Sequence, residues 1–131
     1  MHELRDSENR YRTLLTDLPI GVSETSPDGD FLYFNPRAYE INGYQPEDIG
    51  SIRAEDVYVR PRDRERLIDS LNKVGHFSYE HQIRRKDGRL IWVRGSSRAI
   101  KSAGGAITRF IGIQEDITQE RQARAIRRSV E

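Results

Sequence analysis

Two Asp-Gly pairs, each lying between short extended runs, constrain the fold of this chain more than any other feature. Asp28-Gly29 follows a proline, and Asp87-Gly88 follows a lysine. Because Asp-Gly favours the tight turns of antiparallel hairpins, the sequence predicts a two-stranded unit early in the chain and a three-stranded meander late in it. Gly104-Gly105 supplies the last turn of the meander. The predicted strands are 21–26, 30–35, 77–86, 89–101 and 106–115.

Apolar residues at helical spacing place helices around these strands. The clearest case lies between the two units, where Leu67 and Leu71 share one stripe that ends at Gly75. Asp116, with Gln119 three residues later, resembles a capping box at the start of a final helix. The predicted helices are 3–17, a short one from Pro36 to about Gly43, a single turn at 46–48, 62–74, and one from Asp116 onward. With its helices segregated to one face of an antiparallel sheet, the predicted fold class is α+β.

Four segments, in this order and spacing, resemble the PAS domain family: PDGDFLYFN, PRAYEINGYQPEDIG, RKDGRLIWV and GIQEDIT. The resemblance covers about residues 11–118. It implies a five-stranded antiparallel sheet in the order 2-1-5-4-3, with short helices that close a pocket on one face and terminal helices that lead to neighbouring modules. We therefore expect an N-terminal flanking helix at 1–18, a PAS core at 19–117 and a C-terminal signalling helix at 118–131.

The same resemblance implies a non-catalytic sensory and dimerisation module. Such modules belong to parents such as histidine kinases, diguanylate cyclases, chemoreceptors or transcription regulators, so an effector domain of the same chain is an expected partner. The residues agree, since we find no Gly-rich phosphate loop, Gly-x-Ser-x-Gly elbow or compelling acid–base pair. No apolar run approaches the roughly 20 residues of a membrane span, and the N-terminus lacks a signal peptide. A cytoplasmic location without membrane contact is therefore expected.

The charge distribution leaves nucleic-acid binding as a weaker alternative. The net charge is only +1, yet residues 84–101 carry seven basic residues against one acidic residue. No row of aromatic side chains for base stacking accompanies this basic hairpin. We therefore expect that nucleic acid is not the partner.

Strand alternation predicts which side chains face the pocket. Gly95, Ser97 and Gly112 are small and inward-facing, which would leave room for a small ligand. The alternative is that large side chains fill this room as ordinary core, which would make the domain a purely structural interaction module without a ligand. The candidate pocket residues are Tyr33, Tyr39, Leu67, Leu71, His81, Ile83, Val93, Gly95, Ser97 and Gln114.

The family's cofactors find little support in these residues. The chain has no cysteine, and Arg53 stands near the place of the reactive cysteine of flavin-binding members. Ile83 and Val93 stand where those members carry ring-binding asparagines, and only Gln114 matches. Haem-binding members offer a histidine on the long helix, and 62–74 has none. We expect no flavin, haem or metal, and either no ligand or an unknown small one, with His81 as a neutral pocket residue.

The opposite sheet face is expected to be a second functional surface. Four apolar side chains on this face should not remain in contact with water: Leu90, Trp92, Ile111 and Ile113. The N-terminal helix, a second copy of the domain, or both should therefore cover them. This favours a homodimer. The outer-face and N-terminal-helix candidates are Leu4, Tyr11, Leu14, Leu15, Leu18, Leu90, Trp92, Ile111 and Ile113. The signal is expected to leave the domain through Gln114, Asp116, Ile117 and Thr118.

Overall fold

The computed structural model describes the backbone of residues 2–130 and the side chains of residues 5–130. Eleven elements follow one another along this part of the chain. They are α1 (His2–Asp17), β1 (Gly21–Thr25), β2 (Phe31–Phe34), α2 (Pro36–Asn42), a 3₁₀ helix (Pro46–Ser51), α3 (Ala54–Val57), α4 (Pro61–Lys73), β3 (His76–Arg84), β4 (Leu90–Lys101), β5 (Ile107–Asp116) and α5 (Thr118–Val130).

The five strands form one antiparallel sheet in the order β2-β1-β5-β4-β3, as predicted. Both Asp-Gly turns form where the sequence placed them, and Gly29 and Gly88 adopt the positive φ angles of 96° and 87°. Residues with a Cβ rarely adopt such angles, so glycine is what permits these hairpins to close. The α+β fold is confirmed.

Asn35 ties the first half of the domain together. Its side-chain Oδ1 accepts hydrogen bonds from the backbone N–H groups of Ala38 (2.9 Å) and Val22 (2.8 Å), and thereby caps α2. Its Nδ2 donates to the carbonyl oxygens of Leu15 (2.8 Å) and Ile20 (3.0 Å). One buried amide therefore fixes the end of α1, the start of β1 and the start of α2 relative to each other.

The hydrophobic core is divided into two clusters on the inner face of the sheet. The first packs α2, the 3₁₀ helix and α3 against the sheet, and the second packs α4 against β5. The buried members of the first are Phe34, Ala38, Ile41, Ile52, Val57, Ile83, Ile91 and Val93. Those of the second are Leu67, Leu71 and Phe110.

The start of the final helix differs from the prediction. Asp116 is the last residue of β5, paired with Val93, and its carboxylate accepts from the Thr118 N–H at 2.9 Å. The first helical bond runs from the Arg121 N–H to the Ile117 carbonyl, so the predicted capping box of Asp116 and Gln119 does not form. Strand pairing extends further along the chain than the capping pattern suggested. Among the described helices, none combines the length and apolar character of a membrane span.

Candidate functional site: an internal cavity and an outer sheet face

A cavity of about 70 Å³ lies where the two core clusters meet. Phe34, Val57 and Val93 line it from the first cluster, and Leu67 and Phe110 line it from the second. A cavity of ~150 Å³ is enough to hold benzene, and sites for drug-sized ligands begin at ~300 Å³. This space can therefore hold a few water molecules or a ligand of a few heavy atoms.

Six of the ten predicted pocket residues line this cavity: Leu67, His81, Ile83, Val93, Ser97 and Gln114. The other four, Tyr33, Tyr39, Leu71 and Gly95, do not. Leu71 is fully buried behind Leu67 in the second cluster. Tyr39 packs edge-on against Phe34 at 5.1 Å between ring centroids, on the side of α2 that faces the 3₁₀ helix.

Tyr33 lies on the outer face of the sheet, contrary to the prediction. It pairs with Glu24, while Phe31 pairs with Thr25, so Leu32 is an extra residue in β2. Tyr33 alternates regularly with the inward-facing Phe34, and the bulge at Leu32 allows Phe31 to face the cavity as well.

The space expected above Gly95 is occupied by a residue that the sequence analysis missed. Tyr79 lies opposite Gly95 in the sheet, and a Cβ built on Gly95 would lie 2.5 Å from the Tyr79 hydroxyl oxygen. Burial raises the pKa of the Tyr79 hydroxyl, against the smaller lowering effect of the Ser97 side chain. The signal was available, since His81 and Ile83 face inward and Tyr79 follows the same alternation.

Three rings form one wall of the cavity. The imidazole of His81 stacks on Tyr79 at 4.2 Å and meets the ring of Tyr58 at 5.1 Å and a 63° angle. Burial lowers the pKa of His81 to about 4 and raises the pKa of Tyr58 to about 12. All three side chains are therefore neutral at pH 7. No Asp or Glu lines the cavity within the described part of the chain, and its one charged lining residue there is Arg64.

Gln114 forms the polar end of the cavity with a second residue that the sequence analysis missed. The Nδ2 of Asn42 donates to the Oε1 of Gln114 at 3.0 Å and to the Ala38 carbonyl at 2.8 Å. The last turn of α2 and strand β5 are thereby joined through two amides.

On the outer face, α5 covers Trp92. The Arg121 guanidinium lies 3.5 Å from the centroid of the Trp92 ring. The backbone N–H of Trp92 donates to the Thr118 Oγ1 at 3.0 Å, and the backbone N–H of Ile117 donates to the Trp92 carbonyl at 2.9 Å. The prediction that the N-terminal helix or a second copy covers this face did not anticipate α5, and three of the predicted exit residues (Asp116, Ile117 and Thr118) form the junction.

An ion network extends this contact between α5 and the sheet. Glu80 of β3 lies within ion-pair distance of Arg94 (3.4 Å), Arg121 (3.1 Å) and Arg124 (3.7 Å). Glu120 of α5 pairs in turn with Arg94 and Arg124. Beyond these first turns α5 extends away from the sheet, and Ile126 and Val130 are exposed. Single surface pairs contribute little, but this network joins β3, β4 and α5.

Part of the predicted dimer surface is exposed. On α1, Leu15 is buried, whereas Tyr11 is 50% exposed and Leu14 is 66% exposed. On the sheet, Leu90 and Ile113 are exposed, while Leu18 and Ile111 are half-buried. The side chain of Leu4 lies outside the described residues.

Two curated proteins contain related sequences. The chain is 22% identical over 126 residues to the bacterioopsin transcriptional activator of Halobacterium salinarum, covering 90% of this chain and 18% of the activator. It is 26% identical over 124 residues to the sensor histidine kinase TmoS of Ectopseudomonas mendocina, covering 92% of this chain and 13% of the kinase. The chain thus spans less than a fifth of the length of these two relatives.

Solved structures share the fold at low sequence identity. A PAS domain from Colwellia psychrerythraea superposes with a TM-score of 0.77 at 20% identity, covering 85% of this chain and 97% of that one. An RNA-binding light-oxygen-voltage receptor gives 0.76 at 18% identity, covering 86% of this chain and 34% of that one. The PAS domain of a LuxR-family regulator from Burkholderia thailandensis, in complex with ethanol, gives 0.69 at 20% identity, covering 82% and 96%.

A family model described as a PAS domain matches residues 18–119, which contain the whole sheet, the cavity and the junction with α5. The chain belongs to the PAS domain family.

Proposed function

We propose that this PAS domain is the sensory module of a larger cytoplasmic signalling protein, and that it transmits occupancy of its cavity to α5. The parent is of the histidine kinase, diguanylate cyclase or transcription-regulator type, and the domain itself performs no catalysis. The related segments in a sensor histidine kinase and a transcriptional activator support a parent of this kind. The cavity takes a small molecule rather than flavin or haem, which is consistent with its 70 Å³ and its neutral polar wall.

One observation carries the proposal: consecutive residues of β3 contact the cavity and α5 in alternation. Tyr79 and His81 point into the cavity, whereas Glu80 between them points outward to Arg121 and Arg124 of α5. A ligand that displaces either ring shifts the backbone of β3, and with it the carboxylate that holds α5. Occupancy of the cavity then biases α5 between docked and released arrangements.

The exit at β5 contributes through the same junction. Gln114 faces the cavity. Two residues later, the Asp116 carboxylate accepts a hydrogen bond from the Thr118 N–H, and both Ile117 and Thr118 form hydrogen bonds with the backbone of Trp92. We propose that β3 and β5 act together on α5, since both strands flank the same end of β4.

Hydrogen exchange with ethanol as a probe tests this proposal. Ethanol should shift the amide NMR signals of the cavity residues and change the exchange of residues 118–125. In Glu80→Gln the cavity shifts should persist while the change in α5 is lost. Glu65→Gln, on the exposed side of α4, is the matched control and should behave like the wild type. Cavity shifts without any response in α5 of the wild type would refute the relay.

A second candidate function is a purely structural module without a ligand. It is favoured by one observation: among the described residues, every fully buried side-chain nitrogen and oxygen has a hydrogen-bond partner without any ligand. In the ethanol experiment this alternative gives no cavity shifts at all. A nucleic-acid binder has less support, because Arg85 and Arg94 of the basic hairpin are engaged in ion pairs with carboxylates of the domain itself.

For both candidates we propose a homodimer that buries the exposed part of α1 and the neighbouring sheet face. Tyr11 and Leu14 are exposed on the helix, and Ile113 is exposed on the sheet. A solvated apolar surface of this kind is typical of an interaction site.

A further inference from the structure

Arg64 places a guanidinium group at the edge of the cavity. It belongs to the first turn of α4 and is half-buried. Its guanidinium carbon lies 5.9 Å from the centroid of the Tyr58 ring. Its Nη2 reaches the β1–β2 turn, where it lies 3.2 Å from the position that a Cβ of Gly29 would occupy. The side chain therefore spans from α4 to the hairpin beside the cavity.

This guanidinium makes no ion pair with a carboxylate of the side chains described, residues 5–130. The contrast is Arg53, which reaches the same turn. Arg53 pairs with Asp30 at 2.6 Å and with Glu55 at 3.6 Å, and it also donates to the Asp28 carbonyl at 2.6 Å. Two arginines thus meet at one turn, of which one is neutralised. A partly desolvated arginine normally has an anionic partner.

If a small amphiphilic anion placed its charged group on Arg64, the interior of the cavity would suit the rest of the molecule. Hydroxyl groups of Ser23, Ser97 and Tyr79 line the sheet side. Leu67 and Phe110 supply apolar surface next to Arg64. No carboxylate lines the cavity within the described residues, so an anion inside it would not contact a like charge. Asp63 acts electrostatically on Tyr58 and His81, but it forms no ion pair with Arg64.

We propose that the cavity binds a small monocarboxylate, with its carboxylate on the Arg64 guanidinium and its short alkyl chain between Leu67 and Phe110. The volume of 70 Å³ limits the ligand to about two or three carbon atoms, since a cavity of ~150 Å³ holds the six carbons of benzene. A guanidinium binds a carboxylate through two parallel hydrogen bonds, which a neutral alcohol of the same length cannot form. This inference rests on the proposed role of the cavity as a ligand site and names the chemistry of that ligand.

The test is titration of the whole chain with three probes at constant ionic strength: sodium propionate, n-propanol and sodium phosphate. Calorimetry gives the affinity, and ¹⁵N NMR follows the Nε of Arg64. Propionate should bind more tightly than n-propanol and shift the Arg64 signal, and phosphate should bind weakly because it has no alkyl chain. Arg64→Gln should weaken propionate binding by roughly tenfold or more and leave n-propanol unaffected.

Two further variants control for folding and for charge. Arg62→Gln removes an exposed arginine from the same turn of α4 and should leave propionate binding unchanged. Arg64→Lys keeps the charge but loses the two-point geometry, and should give an intermediate affinity. Thermal unfolding of each variant shows whether the domain remains intact.

Several outcomes would overturn the inference. Equal affinities for propionate and n-propanol would make the ligand neutral, and binding that survives Arg64→Gln would place the anion elsewhere. Phosphate binding as tight as propionate would exclude a role for the alkyl chain. Binding of n-propanol alone rejects the carboxylate but leaves the sensory function standing, whereas binding of none of the three probes rejects the carboxylate and favours the structural module.

Discussion

The guanidinium of Arg121 lies 3.5 Å from the ring centroid of Trp92, and this pair joins the last helix of the domain to the outer face of its sheet. Tryptophan is the strongest aromatic partner for a cation, and the contact is worth about 0.5–2 kcal/mol according to its desolvation. Because Arg121 also pairs with Glu80, one side chain combines two kinds of contact. Arg121 therefore contributes both a cation–π contact and an ion pair to the docked position of α5.

We expect Arg121→Ala to release the first two turns of α5. Loss of the cation–π contact should lower the free energy of docking by about 0.5–2 kcal/mol. Hydrogen exchange of residues 118–125 should therefore accelerate roughly 2- to 30-fold. Arg127→Ala, in the exposed last turn of the same helix, is the control and should change nothing. Unchanged exchange in Arg121→Ala would show that other contacts hold the helix.

Asn35→Ala should be among the most destabilising single substitutions in the domain. It removes the cap of α2 and leaves the Val22 N–H and two carbonyl groups without their partner. We expect a loss of about 2–4 kcal/mol, measured by urea unfolding. Asn72→Ala, on the exposed surface of α4, should cost less than about 1 kcal/mol. A small effect of Asn35→Ala would mean that water replaces the amide.

Stability should fall on acidification because of His81. Its pKa is lowered to about 4 by burial, so between about pH 6.5 and pH 4 the unfolded chain binds a proton that the folded domain does not. Unfolding free energy should therefore decrease as the pH falls through this window, by roughly 3 kcal/mol in total.

Urea unfolding of the wild type and of His81→Phe at pH 4.5 and pH 7 measures this contribution. The variant should lose most of the difference, whereas His76→Gln, at the exposed start of β3, should keep it. A pH dependence that is the same in wild type and His81→Phe would assign it to other groups.

Gly95→Ala tests the close packing of Tyr79. The new methyl group would lie 2.5 Å from both the Tyr79 hydroxyl oxygen and the Ile113 carbonyl oxygen, of which the carbonyl belongs to the sheet backbone. We expect a loss of about 1–3 kcal/mol from overpacking. Gly104→Ala, in the β4–β5 turn with 3.9 Å to its nearest neighbour, should have little effect. Thermal unfolding of the two variants measures the difference. Equal stability of Gly95→Ala and Gly104→Ala would show that Tyr79 can move aside.

Self-association should depend on α1. Leu14→Glu places a charge on the exposed apolar side of the helix, where burial in a dimer would leave it without a partner. Sedimentation should show a lower mass for Leu14→Glu than for the wild type at equal concentration, with Thr16→Glu as the control. A wild-type chain that sediments as a monomer at all concentrations would contradict the proposed dimer.

Local sequence signals were sufficient for most of the fold. The turns at Asp28-Gly29 and Asp87-Gly88 and the end of α2 at Gly43 depend on backbone chemistry that can be recognised residue by residue. The strand order followed from the family resemblance and is confirmed. These features need no knowledge of which distant side chains meet.

The predicted positions of side chains and of α5 were wrong or incomplete where contacts between residues distant in the sequence determine the structure. A bulge at one additional residue, Leu32, puts Phe31 rather than Tyr33 on the inner face, and no local pattern marks it. Tyr79 fills the space above Gly95 because two strands pair in one particular register. The docking of α5 depends on Arg121 reaching Trp92, 29 positions earlier in the chain. From the sequence alone, an arginine-rich helix is interpreted as solvent-exposed, because its partners on the sheet are not known.

Under the proposed function, the alternation along β3 separates the residues that would contact a ligand from those that contact α5. Residues 77, 79, 81 and 83 face the interior, whereas 78, 80 and 82 lie on the outer face, against which α5 docks. Odd-numbered substitutions therefore change the lining of the interior, whereas Glu80 is the position at which a substitution changes the contacts with α5. A nine-residue strand thus offers two distinct sets of positions for redesign, interleaved along a single stretch of backbone.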